Sequence, residues 1–179
     1  LPEVAAAAAR LGINPAILQT ALQSDAGLEE ALAKVETPRS DFKNADGKTV
    51  ASRIKHAKRV FSVPDVHGAN SQMKVMLQKN GVIDAQGNLL LGKGDVIVFT
   101  GDYFDRGPDS KGVADFILNL QRQAAAKGAD APHVVLLRGN HDAFVAGAIA
   151  EFKRGEFGQN LLNFIRNGGK QTIESFAGP

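Results

Sequence analysis

The chain has 179 residues, of which 44% are apolar and 22% charged, with a formal net charge of +2 and no cysteine. This length is enough for one domain with its own core, and the missing cysteines exclude a disulfide scaffold, a thiolate zinc site and a cysteine nucleophile. No apolar run approaches the roughly 20 residues of a membrane-spanning helix. Because 21 basic side chains nearly balance 19 acidic ones, the charge does not indicate a nucleic-acid partner.

The first forty residues predict a helical appendage. Alanines fill residues 5–9, Asn14-Pro15 is a helix-start signal, and residues 26–35 are mostly good helix formers. Their apolar side chains recur at three-to-four spacing, which is typical of a helix that buries one face. We expect residues 1–40 to pack on the main domain or on a protein partner. Turn-forming residues then cluster at 37–49, which divides this appendage from a second domain at residues 41–179.

From residue 60 the chain repeats one pattern three times: a short apolar strand, a polar loop and an amphipathic helix. Such an order predicts an α/β fold of βαβ units, with a sheet covered on both faces. The predicted strands are 60–63, 96–100 and 134–137, and the predicted helices are 71–79, 109–127, 143–152 and 160–165. Ligands bind beyond the carboxyl ends of strands in these sheets, and a polar cluster follows each strand.

The three clusters offer oxygen and nitrogen donors without sulfur. They are residues 65–68 (Asp-Val-His-Gly), residues 101–107 (Gly-Asp-Tyr-Phe-Asp-Arg-Gly) and residues 139–142 (Gly-Asn-His-Asp). Such donors suit Mn, Fe, Co or Zn, and two adjacent metals can activate water and stabilise phosphoryl transfer. The guanidinium of Arg106 matches phosphate oxygens. The chain has 37 residues from Asp65 to Asp102 and 38 from Asp102 to Asn140, which is about one βαβ unit each.

At these residues the chain resembles the calcineurin-like metallophosphoesterases, whose Asp-x-His-Gly, Gly-Asp-x-x-Asp-Arg-Gly and Gly-Asn-His-Asp/Glu motifs it matches in order. Arg106 and Leu136-Leu137-Arg138 resemble the phosphoprotein phosphatase branch, which includes bacterial Ser/Thr phosphatases, Shewanella-like phosphatases and diadenosine tetraphosphatases. Residues 167–176 resemble the Gly-Gly-x-x-Thr-x-x-Ser-Tyr segment of bacterial members. The resemblance implies an αββα sandwich, and we expect this chain to supply its N-terminal half.

The resemblance implies two divalent metal ions as cofactors, with manganese preferred and iron, zinc, cobalt or magnesium as alternatives. Asp65 and His67 would bind the first metal, Asp102 would bridge both, and Asn140 would bind the second. Family members supply further histidine ligands downstream of the third motif, and this sequence has no histidine after His141. We therefore expect the domain to be incomplete at its C-terminal side.

The resemblance also implies catalytic roles. His141 would protonate the leaving oxygen, and Asp105 would hold its ring charged and oriented. Arg106 would bind the phosphate, with Asn140 and Arg138 as further substrate-binding residues. A hydroxide on the metals would attack phosphorus in line, and no covalent phosphoenzyme would form.

The implied function is a metal-dependent phosphoesterase that acts on phosphomonoesters, with a Ser/Thr or dual-specificity protein phosphatase as the leading hypothesis. The substrate would be a phosphorylated protein or a small phosphoester. Hydrolysis of diadenosine polyphosphates is the alternative within the same chemistry. A second alternative is an inactive metal-binding or interaction fragment whose N-terminal helices recruit a protein partner. No nucleic-acid or membrane partner is predicted, and a cytoplasmic location is favoured, with the periplasm and secretion left open.

Overall fold

The computed structural model of the protein describes Ala16, which is helical, and residues 56–178. The predicted appendage at residues 1–40 and the boundary at 37–49 therefore lie outside the described residues, apart from Ala16. Within the described part of the chain, no helix has both the length and the apolar character that crossing a membrane requires.

Three strands alternate with helices in residues 56–178, in the predicted order. The elements are β1 (Arg59–Val63), α1 (Asn70–Lys79), β2 (Asp95–Phe99), α2 (Ser110–Ala126), β3 (His133–Leu136), α3 (Asn140–Lys153), α4 (Gln159–Phe164) and α5 (Lys170–Ala177). A short 3₁₀ turn at Gly128–Asp130 precedes β3, and a kink at Gly168, within Ile165–Gly169, separates α4 from α5. The predicted strands and the first two helices agree with these bounds to within one residue.

Two helices differ from the sequence-based expectation. Helix α3 begins at Asn140, three residues earlier than predicted, because the Asp142 carboxylate accepts a hydrogen bond from the Gly139 N–H at 2.8 Å and caps the first turn. Helix α5 was not predicted, yet it buries Ile173 and Phe176. Ile173, Phe176 and Ala177 do follow helical spacing, but the helix has only eight residues, and a pattern this short is a weak signal in the sequence.

The strands form one parallel sheet in the order β1-β2-β3, with β2 in the centre. Crossovers between parallel strands of one sheet are right-handed as a rule, which puts α1 and α2 on the same face here, and the two helices contact each other. The core on that face joins strand residues to helix residues in one cluster. Its members include Val63, Ile97, Phe99 and Leu136 from the strands, and Met73, Leu77, Val113 and Leu120 from the helices.

The opposite face of the sheet is covered unevenly. Val96 and Val135 are buried there, whereas Val60 is 48% exposed and Ser62 is also exposed. The prediction of a sheet covered on both faces therefore holds for the middle of β2 and β3 but not for β1.

Helix α5 packs on α2, close to the loop that follows β2. The Ser175 hydroxyl accepts a hydrogen bond from the Lys111 N–H at 2.9 Å, and the Phe176 ring lies 6.3 Å from that of Phe104, centroid to centroid. Helices α3 and α4 pair through Glu151, whose carboxylate accepts the Leu161 N–H at 2.8 Å. These contacts bring the C-terminal segment back to the edge of the sheet that carries the polar clusters.

Candidate functional site

The three polar clusters meet at the carboxyl edge of the sheet, as the sequence predicted. Backbone hydrogen bonds join the first loop to the second: the Val66 and His67 N–H groups both donate to the Asp102 carbonyl, at 3.1 and 2.9 Å. The third loop joins them because the His141 N–H donates to Oδ1 of Asp102 at 2.9 Å. Because parallel strands end at one edge, residues almost forty positions apart become neighbours.

Backbone strain is concentrated in this site. Among the described residues, the non-glycine residues with positive φ are His67 (45°), Asp102 (52°), Asp105 (74°) and Arg106 (66°). Each such conformation costs on the order of 1 kcal/mol or more, and it persists only where surrounding contacts impose it. All four residues belong to the first two clusters. The strained backbone, which lowers the stability of the fold, therefore lies where the polar side chains converge.

Three side chains can offer ligand atoms to a metal ion. One atom each from His67, Asp102 and His141 lies within 4.8 Å of the others. Asp102 and His141 are buried, and His67 is partly exposed. Close packing requires glycine at position 139, because a Cβ atom there would overlap the Asp102 carboxylate. One carboxylate and two imidazoles are donors that a divalent transition metal prefers, so this set fits a divalent metal ion. It contains two of the predicted metal ligands, His67 and Asp102, together with the predicted acid, His141.

Hydrogen bonds select the same tautomer for both histidines. Nδ1 of His67 lies 2.9 Å from the Phe104 carbonyl oxygen, which can only accept, so Nδ1 carries the proton. Nδ1 of His141 lies 2.8 Å from Oδ2 of Asp105. Both Nε2 atoms face the guanidinium of Arg106, at 3.1 Å for His67 and 3.0 Å for His141. Since a guanidinium only donates, each Nε2 presents a lone pair in this arrangement; at His67 this is the atom that a metal would use.

The Asp105 carboxylate is fully buried and has two side-chain partners. Oδ2 accepts from Nδ1 of His141, and Oδ1 accepts from the Thr172 hydroxyl at 2.9 Å. Burial raises the pKa of Asp105 above its ordinary value, while the hydrogen bonds from His141 and Thr172 act in the opposite direction. The carboxylate is therefore held by two side-chain donors rather than by solvent.

Asp142 joins the second and third loops, a role that the sequence did not reveal. Its buried carboxylate accepts the backbone N–H groups of Asp102 (2.8 Å), Tyr103 (2.9 Å) and Gly139 (2.8 Å). Burial raises the pKa of Asp142 to about 6, against the effect of these three donors. The third motif singled out this residue, but only the structure shows that it clamps the backbone.

Thr172 was likewise part of a recognised segment without an assigned role, and it contacts Asp105 directly. In the same segment the Gly168 carbonyl accepts the Arg106 N–H at 3.2 Å. Gly168 has φ 104°, and a Cβ atom there would lie 2.6 Å from the backbone nitrogen of Arg106. The Gly-Gly-x-x-Thr segment thus lies against the second motif.

The other predicted site residues lie at the edge of the cluster. Asp65 is exposed at the end of β1, outside the group formed by His67, Asp102 and His141, and lines a cavity of about 220 Å³ with Val63 and Met73. Asn140 is exposed at the first position of α3, and Arg138 is half-buried two residues before it. Their roles stay predictions.

Residues 58–177, about two thirds of the chain, match the model of the family "Calcineurin-like phosphoesterase". The chain belongs to this family. The match confirms the resemblance and the predicted fold class, with the parallel sheet and its helices as the observed portion of that fold.

Two curated relatives of this family member match part of the chain. Shewanella-like protein phosphatase 1 of Plasmodium berghei (strain Anka) is 30% identical over 89 residues, which is 50% of this chain and 24% of that protein. Bis(5'-nucleosyl)-tetraphosphatase PrpE of Bacillus subtilis (strain 168) is 34% identical over 65 residues, or 36% of this chain and 27% of that one. The chain thus spans about a quarter of the length of these two curated relatives.

Among solved structures, the cold-active protein-tyrosine phosphatase of a psychrophile Shewanella sp. is similar to this family member. It is 29% identical to the chain, with a TM-score of 0.45, over 69% of this chain and 42% of that one.

Proposed function

We propose that this chain carries the metal- and phosphate-binding part of a phosphoesterase that hydrolyses phosphomonoesters, with phosphorylated proteins as the leading substrate class. The observation that carries the proposal is the position of Arg106. Its guanidinium lies within hydrogen-bond distance of Nε2 of both His67 and His141. A planar donor group beside a set of metal-binding atoms is the arrangement that a phosphate monoester needs.

His67 and Asp102 would hold a divalent metal ion, with Asp65 and Asn140 as the further ligands implied by the family motifs. Manganese is the preferred ion, and iron, zinc, cobalt and magnesium remain alternatives. When bound, metal ions supply an activated water and neutralise charge on the phosphoryl group. The protein's part is to fix the donors: the Phe104 carbonyl orients the His67 ring, and the His141 N–H orients the Asp102 carboxylate.

His141 would serve as the acid that protonates the leaving oxygen. Asp105 holds Nδ1, which leaves Nε2 directed into the site beside Arg106. Once the guanidinium turns to the phosphate oxygens, Nε2 becomes free to carry a proton toward the leaving group. The buried carboxylate stabilises the imidazolium that this step requires.

Turnover with divalent manganese tests the proposal. We expect the full chain to hydrolyse p-nitrophenyl phosphate and a phosphoserine peptide, and we expect a chelator to abolish both reactions. Asp102→Asn and His141→Ala should each lower kcat by at least about 100-fold. Asp95→Asn is the matched control. Asp95 lies on the same strand, β2, but at its amino end, away from the site that follows its carboxyl end.

Retained turnover in Asp102→Asn or His141→Ala would contradict these roles. A dinucleoside tetraphosphate tests the alternative suggested by the similarity to the tetraphosphatase; faster turnover of it than of the peptide would replace the proposed substrate class. Metal binding without turnover of any substrate would favour an inactive metal-binding fragment.

A further inference from the structure

Thr172 has a hydroxyl whose hydrogen-bonding capacity is fully used inside the protein. The residue lies on α5 and is 2% exposed. Its Oγ1 accepts the Asp105 N–H at 2.8 Å and donates to Oδ1 of Asp105 at 2.9 Å. The Ser110 hydroxyl lies 3.1 Å away, and it must be the donor because the single proton of Thr172 already points to the carboxylate.

These bonds form one directed chain that ends at the site. The Ser110 hydroxyl donates to Thr172, and Thr172 donates to Oδ1 of Asp105. The other carboxylate oxygen, Oδ2, accepts from Nδ1 of His141, and Nε2 of that ring faces Arg106. Buried chains of this kind reinforce each bond within them, since no water competes for the partners.

We propose that Thr172 is a positioning residue, whose hydroxyl sets the orientation of the Asp105 carboxylate and through it that of the His141 ring. The inference rests on the proposed function, because it gives His141 the role of the acid. One observation and one physical argument support it. Thr172 contacts both the backbone and the side chain of Asp105, and so fixes that residue in its strained conformation at φ 74°. A carboxylate with only one partner could rotate away from the imidazole.

The same helix offers a matched control. The Ser175 hydroxyl accepts the Lys111 N–H at 2.9 Å and so attaches α5 to α2 one turn away from Thr172. If the hydroxyl of Thr172 served only to attach α5, then removal of either hydroxyl would have similar effects. Positioning predicts that Thr172 alone affects the acid step.

The test compares two substrates that differ in their need for an acid. Phenolate leaves phosphorus less readily than p-nitrophenolate, so phenyl phosphate depends more on protonation of the leaving oxygen. We expect Thr172→Val, which keeps the shape but loses the hydroxyl, to lower kcat for phenyl phosphate about tenfold more than for p-nitrophenyl phosphate. Thr172→Ser should restore the wild-type ratio, and Ser175→Ala should leave it unchanged. An equal fall for both substrates in Thr172→Val would overturn the proposal.

Proton NMR of histidine labelled with ¹⁵N gives a readout that does not require turnover. The Nδ1 proton of His141, bonded to a buried carboxylate, should resonate far downfield and exchange slowly with water. Thr172→Val should move or broaden this signal, while Ser175→Ala and Thr172→Ser should not. An unchanged signal with normal wild-type turnover would reject the positioning role and leave the proposed function standing. A shifted signal in a protein without turnover would retain the positioning and reject the function.

Discussion

Nδ1 of His141 and Oδ2 of Asp105 lie 2.8 Å apart, with only 3% and 0% of their side-chain surfaces exposed. The electrostatic attraction between two groups so well shielded from water is stronger than in the same pair at the surface, because the surroundings screen it less. It joins the third polar cluster to the second and leaves Nε2 of the imidazole on the side that faces Arg106.

Asp105→Asn tests this contact. An amide oxygen can still accept the Nδ1 proton, but the negative charge that stabilises an imidazolium is lost. We expect kcat for phenyl phosphate to fall by about 100-fold with little change in KM. Asp95→Asn is the control, since it removes the charge of another buried carboxylate at the far end of β2. A kcat within a factor of two of the wild type would show that Asp105 does not serve the reaction.

Gly168→Ala tests the approach of the C-terminal segment to Arg106. A new Cβ atom would lie 2.6 Å from the backbone nitrogen of Arg106 and so would displace the Arg106 backbone. Because Arg106 is the proposed phosphate-binding residue, KM should rise by about tenfold, and inhibition by inorganic phosphate should weaken equally. Gly155→Ala is matched to it, since Gly155 also has positive φ but no atom within 4 Å of the added Cβ. Both variants bear a backbone strain of about 1 kcal/mol, so equal kinetics in the two would contradict the displacement of Arg106.

Asp142→Asn tests the clamp between loops. The amide retains one acceptor oxygen but turns an NH₂ group toward backbone donors, so buried N–H groups lose their partner. We expect the free energy of unfolding to fall by about 2 to 4 kcal/mol in urea denaturation, and manganese affinity in calorimetric titration to fall about tenfold. Asp84→Asn is the control: that carboxylate accepts the N–H groups of Gln86 and Asn88 on an exposed turn, where water can replace it. Equal losses of unfolding free energy and of manganese affinity in the two variants would show that burial of the Asp142 carboxylate is unimportant.

The ion pair of Arg59 and Asp95 gives a pH-dependent prediction away from the site. Nε and one amino nitrogen of Arg59 donate to the two Asp95 oxygens at 2.9 and 2.7 Å. The hydrogen bond from Arg59 holds the pKa of Asp95 below its ordinary value. The stabilisation is therefore present above the unfolded-state pKa, near pH 4, and is lost as the pH falls through the lower folded-state value.

We expect Asp95→Asn to lower the melting temperature by a few degrees at pH 7, since 55% of the Arg59 side chain is exposed and solvent weakens the pair. The difference from the wild type should shrink as the pH falls below about 4. Melting curves of both proteins between pH 2 and 7 measure this difference in melting temperature. A difference that grows toward low pH would contradict the lowered pKa of Asp95.

Local patterns were sufficient for much of the architecture. The strand around Ile97 and Phe99 and the amphipathic helix that buries Val113 and Leu120 follow from side-chain periodicity, which any stretch of chain carries by itself. The convergence of His67, Asp102 and His141 also followed from sequence, because the carboxyl ends of adjacent parallel strands share an edge. The family match confirms the fold that those motifs implied.

The sequence by itself determined the order of the strands and of the helices up to α4, the three motifs and the family, because each depends on residues close together in the chain. Only the tertiary structure showed that Asp142 clamps the backbone of Tyr103, 39 positions away, and that Thr172 holds Asp105 across 67 positions. The physical reason is that a hydroxyl or carboxylate bonds to whatever donor the fold brings within about 3 Å, and packing between distant elements, not local propensity, decides which donor that is.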